Sequence, residues 1–284
     1  MLRRTFLAGS VAALAVPPPR AIDAHVHFYD PGRPGGVPWP PKSDSLLYRP
    51  VLPPGFARLA GPFGVQGVIV VEASALLEDN QWVLDLAARN PLIKGFVGHL
   101  PCGAPEFAGH LARFSRNPLF RGIRLNDKAI AAGLPQPAFV DDLKRLADAN
   151  LELDAIGGPA LLPDVLRLSD RLPALRIVVH HLPIDGSDAR TLREVGHRPT
   201  IYAKVSDVLR PGHEPASLDP LWEAFGPDRL IYASNWPVSD RAGSYAEVIG
   251  AVRAYFALKG PDASDKFFWR NSQAAYRWTH ILKE

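Results

Sequence analysis

Eight short β-rich runs, seven of them followed by a helix-like stretch, leave a chain of this length few ways to fold. The candidate strands are residues 21–28, 65–73, 93–100, 121–125, 151–156, 175–182, 200–206 and 229–233. Between them lie stretches with helical spacing at 78–89, 105–115, 137–149, 160–172, 189–196, 218–225 and 245–258, with Asp142, Leu143, Leu146 and Ala147 on one helical face. Runs such as Ile69-Val70-Val71 and Ile177-Val178-Val179 are apolar without alternation, as strands covered on both faces require. Regular strand–helix alternation predicts a parallel sheet with helices outside it. Eight such units in a chain of 284 residues predict a closed (β/α)8 barrel, of the TIM type, in a single domain over 16–284.

The first strand-to-helix connection departs from this rhythm. Residues 29–54 hold eight prolines and Trp39, too polar and stiff for a domain, and are expected to form a loop over the barrel mouth. Residues 1–15 also read apart from the rest. Arg3 and Arg4 precede a short uncharged run that closes in Ala13-Leu14-Ala15, the pattern of an export signal of the twin-arginine type, with a periplasmic destination. That run is shorter than the roughly 20 residues a bilayer span needs, so no stable membrane anchor is expected. A net charge of +3 without a Lys/Arg block gives no support for nucleic-acid binding, and the single cysteine, Cys102, excludes a disulfide framework or a Cys-based zinc cluster.

Barrel chemistry belongs at the carboxyl ends of the strands. Strand one ends in His25-Val26-His27, two imidazoles on one face of an extended chain, suited to metal ligation or proton transfer. The following strands end in Glu72, His99 and Arg124. Strand six ends in His180-His181, strand seven in Lys204 with Ser206 and Asp207, and strand eight in Ser234-Asn235-Trp236. Five of the nine histidines fall at these ends, which a random distribution would seldom produce.

The ordered set resembles the amidohydrolase-related family, in its fuconolactonase and pyrone-dicarboxylate lactonase branch. The resemblance rests on Asp23-Ala24-His25-Val26-His27, Arg121-Gly122-Ile123-Arg124, Val178-Val179-His180-His181-Leu182 and Tyr202-Ala203-Lys204-Val205-Ser206. It continues through Phe225 to Val238 and closes at Asn271 to Tyr276, so it covers the mature chain. It implies a distorted (β/α)8 barrel that hydrolyses an ester or lactone of a small sugar-derived or carboxylated compound. Carried over by position, His25, His27 and His181 form the catalytic and metal-ligating set, and Arg124 holds a substrate oxygen or carboxylate by its planar fork.

One position departs from the family pattern. Asn235 stands where the resemblance expects an aspartate, and an amide carries no charge and cannot act as a general base near neutrality. The metal set shrinks to three histidines, so the expected cofactor is none, or one weakly held divalent ion such as zinc. Glu72 is the acid that could replace the lost carboxylate, or it could simply pair with Arg124 or Lys204; Asp207 and Asp240 are further acids nearby. Lys204 is a candidate oxyanion donor or one half of a salt bridge inside the barrel, His99 is a candidate pocket wall, and Trp39 and Trp236 are candidate stacking surfaces for a ring-shaped ligand, with packing the other reading of Trp236. His180, adjacent to His181 on a strand, is expected to face the other way. Two other readings stay open: a ligand-binding relative that has lost its base, and a metal-dependent decarboxylase of the same superfamily.

Overall fold

The computed structural model describes residues 18–182, 189–209 and 215–279; the expected export segment lies outside these residues. The strands are β1 Ala21–Val26, β2 Val65–Val71, β3 Ile93–Gly98, β4 Phe120–Asn126, β5 Glu152–Ile156, β6 Arg176–His180, β7 Ile201–Val205 and β8 Leu230–Tyr232. They pair in sequence order, and every pair is parallel. Val26 bridges Trp236 in parallel just beyond β8, and the His27 amide donates to the Trp236 carbonyl at 3.0 Å, which brings the last strand round to the first. The protein is a single-domain (β/α)8 barrel.

The helices are α1 Pro53–Ala60, α2 Leu77–Ala88, α3 Phe107–Phe114, α4 Asp127–Gly133, α5 Pro137–Asp148, α6 Leu161–Arg171, α7 Ala189–Gly196, α8 Asp219–Phe225, α9 Tyr245–Leu258, α10 Pro261–Asp265 and α11 Asn271–Tyr276. None of them is long and apolar enough to cross a membrane. Three short ones, α1, α4 and α10, lie outside the helical stretches read from the sequence. The stretch expected to stay loop through residue 54 enters α1 at Pro53, because proline fits the first helical turn, where no amide hydrogen is needed. The short α4 starts at a cap in which the Asn126 side chain accepts from the Ala129 amide at 2.8 Å.

Alternation along the strands sorts side chains into two cores. Val68, Val70, Ile177 and Val179 face the helices, whereas Ile22, Ile69, Val97, Val178 and Ile231 fill the barrel. Trp269, Tyr276 and Trp278 join the inner cluster at 1–2% exposure, each contributing on the order of 2 kcal/mol of burial. Arg176 on β6 ties this C-terminal segment down by donating to the Ala275 carbonyl at 2.8 Å.

Residues 29–54 are clasped to the rim on both sides. Tyr29 pairs antiparallel with Val51. Arg33 reaches Asp79 on α2 at 2.6 Å, with its guanidinium over Trp82. Across the mouth, Arg49 pairs with Asp240 at 3.1 Å, and Asp44 pairs with Arg241. The loop thereby brings Trp39 against the His27 ring, with centroids 5.6 Å apart.

Candidate active site

The site begins with an irregularity in β1. Ile22 and Ala24 pack inside the barrel, while Val26 packs in the outer layer. The register with β2 slips between Asp23 and Val26, a bulge that re-aims the strand end and lets His25 and His27 face the interior. Asp23 locks this turn, accepting from the His25 amide at 3.2 Å, the Ser234 amide at 2.9 Å and the Tyr245 hydroxyl at 3.1 Å. Burial pushes its carboxyl up to about 6, against the pull of those hydrogen bonds.

Beneath the histidines runs a buried polar column. Asp154 receives Lys204 Nζ at 2.6 Å and the Tyr276 hydroxyl at 2.8 Å, and His180 Nε2 lies 2.6 Å from it. Burial works against the ionised carboxyl, but His180 and Lys204 outweigh it and hold Asp154 below the usual range. Burial also lowers His180, to about 3, and lowers Lys204. Glu152, two residues before Asp154 on the same inward face, has both carboxylate oxygens unpartnered; burial, then the Asp154 charge, raises its pKa well above normal and keeps it neutral.

Two sequence expectations are corrected here. Lys204 has no solvent exposure and is spent on Asp154, so it cannot donate to an oxyanion at the mouth. His180 does not face away from the cluster: it points inward, with its ring centroid 4.8 Å from that of His25. The reason is at the next residue. His181 lies beyond the end of β6 with φ of 47°, and this left-handed turn swings its side chain back over the mouth, so both neighbours face the interior.

The hydrogen bonds set the tautomers. His27 Nδ1 lies 3.0 Å from the Val71 carbonyl, which only accepts, so Nδ1 carries the proton. His27 Nε2 then offers a lone pair to His25 Nε2 at 3.1 Å, so His25 is protonated at Nε2 and its Nδ1 is an unpartnered buried acceptor. Burial lowers both pKa values well below normal, so both rings are neutral. His180 turns Nε2 to Asp154 and leaves Nδ1 unpartnered. His181 turns Nδ1 to Ser206 Oγ at 2.8 Å and Asp207 Oδ2 at 2.9 Å, which leaves Nε2 free.

Nitrogens of His25, His180 and His181 lie within 4.8 Å of one another. Three imidazoles, each with one ring nitrogen left without a partner, fit a divalent cation in number and kind. His27, expected as a ligand, has both ring nitrogens engaged, and among the described residues no carboxylate joins the set.

The cavity above has a volume of about 240 Å³ and is walled by His27, Trp39, Arg124, Ile156, His181 and Asn235. Asn235 donates from Nδ2 to Asp207 Oδ1 at 3.0 Å. Arg124 donates from Nε to Glu72 Oε1 and from Nη2 to the Glu72 carbonyl, both at 2.9 Å. Glu72 is therefore held in the guanidinium fork and stands outside the wall of this cavity. His99 borders a neighbouring cavity of about 430 Å³ instead of the central one. Trp236 is corrected as well: it is 5% exposed and packs on Phe56, with ring centroids 5.2 Å apart, so it offers no face to a ligand.

Sequence reasoning underrated Asp154 and Asp207. Two acids alternating inside the apolar strand Glu152-Leu153-Asp154-Ala155-Ile156 were a legible sign of a buried charge partner.

The amidohydrolase family model matches residues 22–278. An L-fucono-1,5-lactonase of Burkholderia ambifaria is 31% identical over 277 residues, covering 90% of this chain and 95% of that protein. A second L-fucono-1,5-lactonase, of Burkholderia multivorans, is 28% identical, covering 89% and 94%. Among solved structures, an amidohydrolase of Burkholderia multivorans with bound zinc superposes with a TM-score of 0.81 at 26% identity, covering 92% of this chain and all of that one (100%).

Proposed function

The chain belongs to the amidohydrolase family, and on that premise we propose that it hydrolyses a lactone of a small, sugar-derived acid, the kind of bond for which its lactonase relatives are named. The observation that carries this reading is the convergence of His27, Arg124, His181 and Asn235 on one cavity at the strand ends. Hydrolysis needs an orienting cation, a proton acceptor and a group that places water, and Arg124, His181 and Asn235 supply them.

Arg124, steadied by Glu72, has Nη1 left over from that pair to hold the lactone carbonyl or a hydroxyl of the substrate. Trp39 stacks against the sugar ring, which has apolar C–H faces. Water placed by Asn235 adds to the carbonyl carbon while His181 Nε2 takes its proton. The ring C–O bond then breaks, the same proton passes from His181 to the departing ring oxygen, and the product is the open hydroxy acid.

His25, His180 and His181 would hold a divalent cation, which when bound polarises a carbonyl and acidifies water. It would use the His181 lone pair that otherwise receives the proton, and with no carboxylate among its ligands it is held weakly. Placement in the periplasm is supported by the Arg3-Arg4 leader. The test of the reading is proton release by the purified protein on a panel of aldono-1,4- and 1,5-lactones and aryl esters. Turnover of one or more lactones at least 100-fold above the esters is expected; silence on every lactone refutes it.

A further inference from the structure

Three successive strand ends carry a non-glycine residue in the left-handed region: His181 at φ 47°, Asp207 at 54° and Asn235 at 61°. Asparagine and aspartate tolerate that backbone better than other side chains, and histidine is enriched there too. The three residues also meet. Asp207 puts Oδ2 2.9 Å from His181 Nδ1 and accepts the Asn235 amide on Oδ1 at 3.0 Å, so each oxygen of one carboxylate serves one neighbour. Strand eight, meanwhile, ends in an amide.

We propose that Asp207 is a positioning residue that holds His181 and Asn235 in register from the end of β7, and that Asp207 and Asn235 are a coupled pair whose acid and amide can be exchanged only together. Asp207, an obligate acceptor beside Ser206 Oγ, which can donate as well as accept at 2.8 Å from the same nitrogen, fixes His181 as the Nδ1–H tautomer, with the Nε2 lone pair available to the cavity. It also fixes the rotation of the Asn235 side chain: Nδ2 faces Asp207, so Oδ1 is the atom left to accept from water. An acid cannot occupy position 235 while Asp207 is charged, because two carboxylate oxygens would stand about 3 Å apart. Nor can an amide replace Asp207 alone. It has one acceptor oxygen, and two donors already point at it. Exchanging both residues restores every bond: an amide at 207 accepts from His181 and donates to a carboxylate at 235.

The part of this that concerns turnover rests on the lactonase reading; the part that concerns His181 does not. The experiment compares D207N, N235D and the double exchange D207N/N235D in the full-length protein. Each single variant is expected to lose at least tenfold in kcat with KM changed less than threefold, and the exchange to return kcat to within about threefold of the parent. Ring ¹⁵N spectra of histidine-labelled protein should show His181 as the Nδ1–H tautomer in the parent and in the exchange, and as a mixture in D207N. Thermal melts separate misfolding from misplacement. Should D207N not fold, the comparison of N235D with the exchange decides, since the exchange must recover both melting temperature and tautomer. Multiplying losses in the exchange, or a His181 spectrum indifferent to all three changes, overturns the proposal. If no variant and no parent turns over lactone while the spectra behave as expected, the lactonase reading fails and the coupling stands.

Discussion

Replacing Lys204 by methionine separates two roles for this residue that its sequence position leaves open. The ammonium has no exposure and lies 2.6 Å from Asp154, inside the barrel rather than at its mouth. Methionine keeps most of the apolar stem, so the loss is that of the charge. Breaking a buried pair by removing one partner costs about 3–5 kcal/mol, mostly because the remaining charge is stranded. Asp154 keeps Tyr276 at 2.8 Å and His180 at 2.6 Å, so the lower end, about 3 kcal/mol, applies. For a domain of this size that is a fall of roughly 6 °C in Tm. Adding Asp154→Asn removes the stranded charge and should recover at least half of the loss. Urea and thermal unfolding read the stability, and lactone kinetics on the same samples read the site. The expected result is a lower Tm with KM changed less than threefold. A Tm within about 1 °C of the parent together with a tenfold higher KM would show that Lys204 meets the substrate and that the buried pairing is wrong.

Three further outcomes follow from the same geometry. Burial holds His25, His27 and His180 neutral, the last with its pKa lowered to about 3, so below pH 6.5 the unfolded chain binds protons that the folded one refuses, and stability falls with acidification. Asp23, raised to about 6, and Glu152, raised well above normal, oppose this above pH 4.5, because there the folded state keeps protons the unfolded one has lost. The unfolding free energy from urea titrations should therefore fall by only about 1.4 kcal/mol per pH unit from 6 to 4.5, the effect of one net proton, and several times more steeply below pH 4, where the depressed Asp154 carboxyl adds to the three imidazoles. A slope of the opposite sign at pH 4 would contradict neutral buried imidazoles. Dialysis against a chelator, checked by elemental analysis, should leave lactone turnover within about threefold, whereas total loss restored by zinc would assign the proton transfer to a metal-bound water. Trp39→Ala should raise KM about tenfold with kcat changed less than threefold, matching about 1–1.5 kcal/mol of stacking; a pure loss in kcat would place Trp39 outside substrate binding.

The barrel was legible because its signal is repeated. Strand periods recur eight times, seven of them followed by a helical period, and the inner and outer faces of strands such as β2 and β6 are both apolar. The position of the site followed from the polar residues that end those strands. What stayed hidden depends on single backbone angles and on partners far apart in the chain. His180 points inward by alternation with Val178, but the return of His181 to the same side hinges on its own φ, and no residue pattern reports that a histidine takes the left-handed turn. The bulge that aims His25 inward is a register slip against β2 and likewise leaves no mark in β1 itself. Lys204 looks like any strand-end cation until Asp154, 50 residues earlier, is seen beside it. Asn235 reads as a lost carboxylate for the same reason, since Asp207 becomes its partner only when β7 and β8 lie side by side.

The central claim is that lactone hydrolysis occurs at the cavity walled by His27, Arg124, His181 and Asn235, with His181 Nε2 receiving the proton of water. The most direct measurement is single-turnover hydrolysis of the best lactone by the parent and by His181→Ala, with matching melting curves as a control. The expected result is a loss of at least 100-fold in the hydrolytic step, as removal of a general base requires, with substrate still bound. A His181→Ala protein that melts like the parent and hydrolyses the lactone within threefold of it would contradict the account.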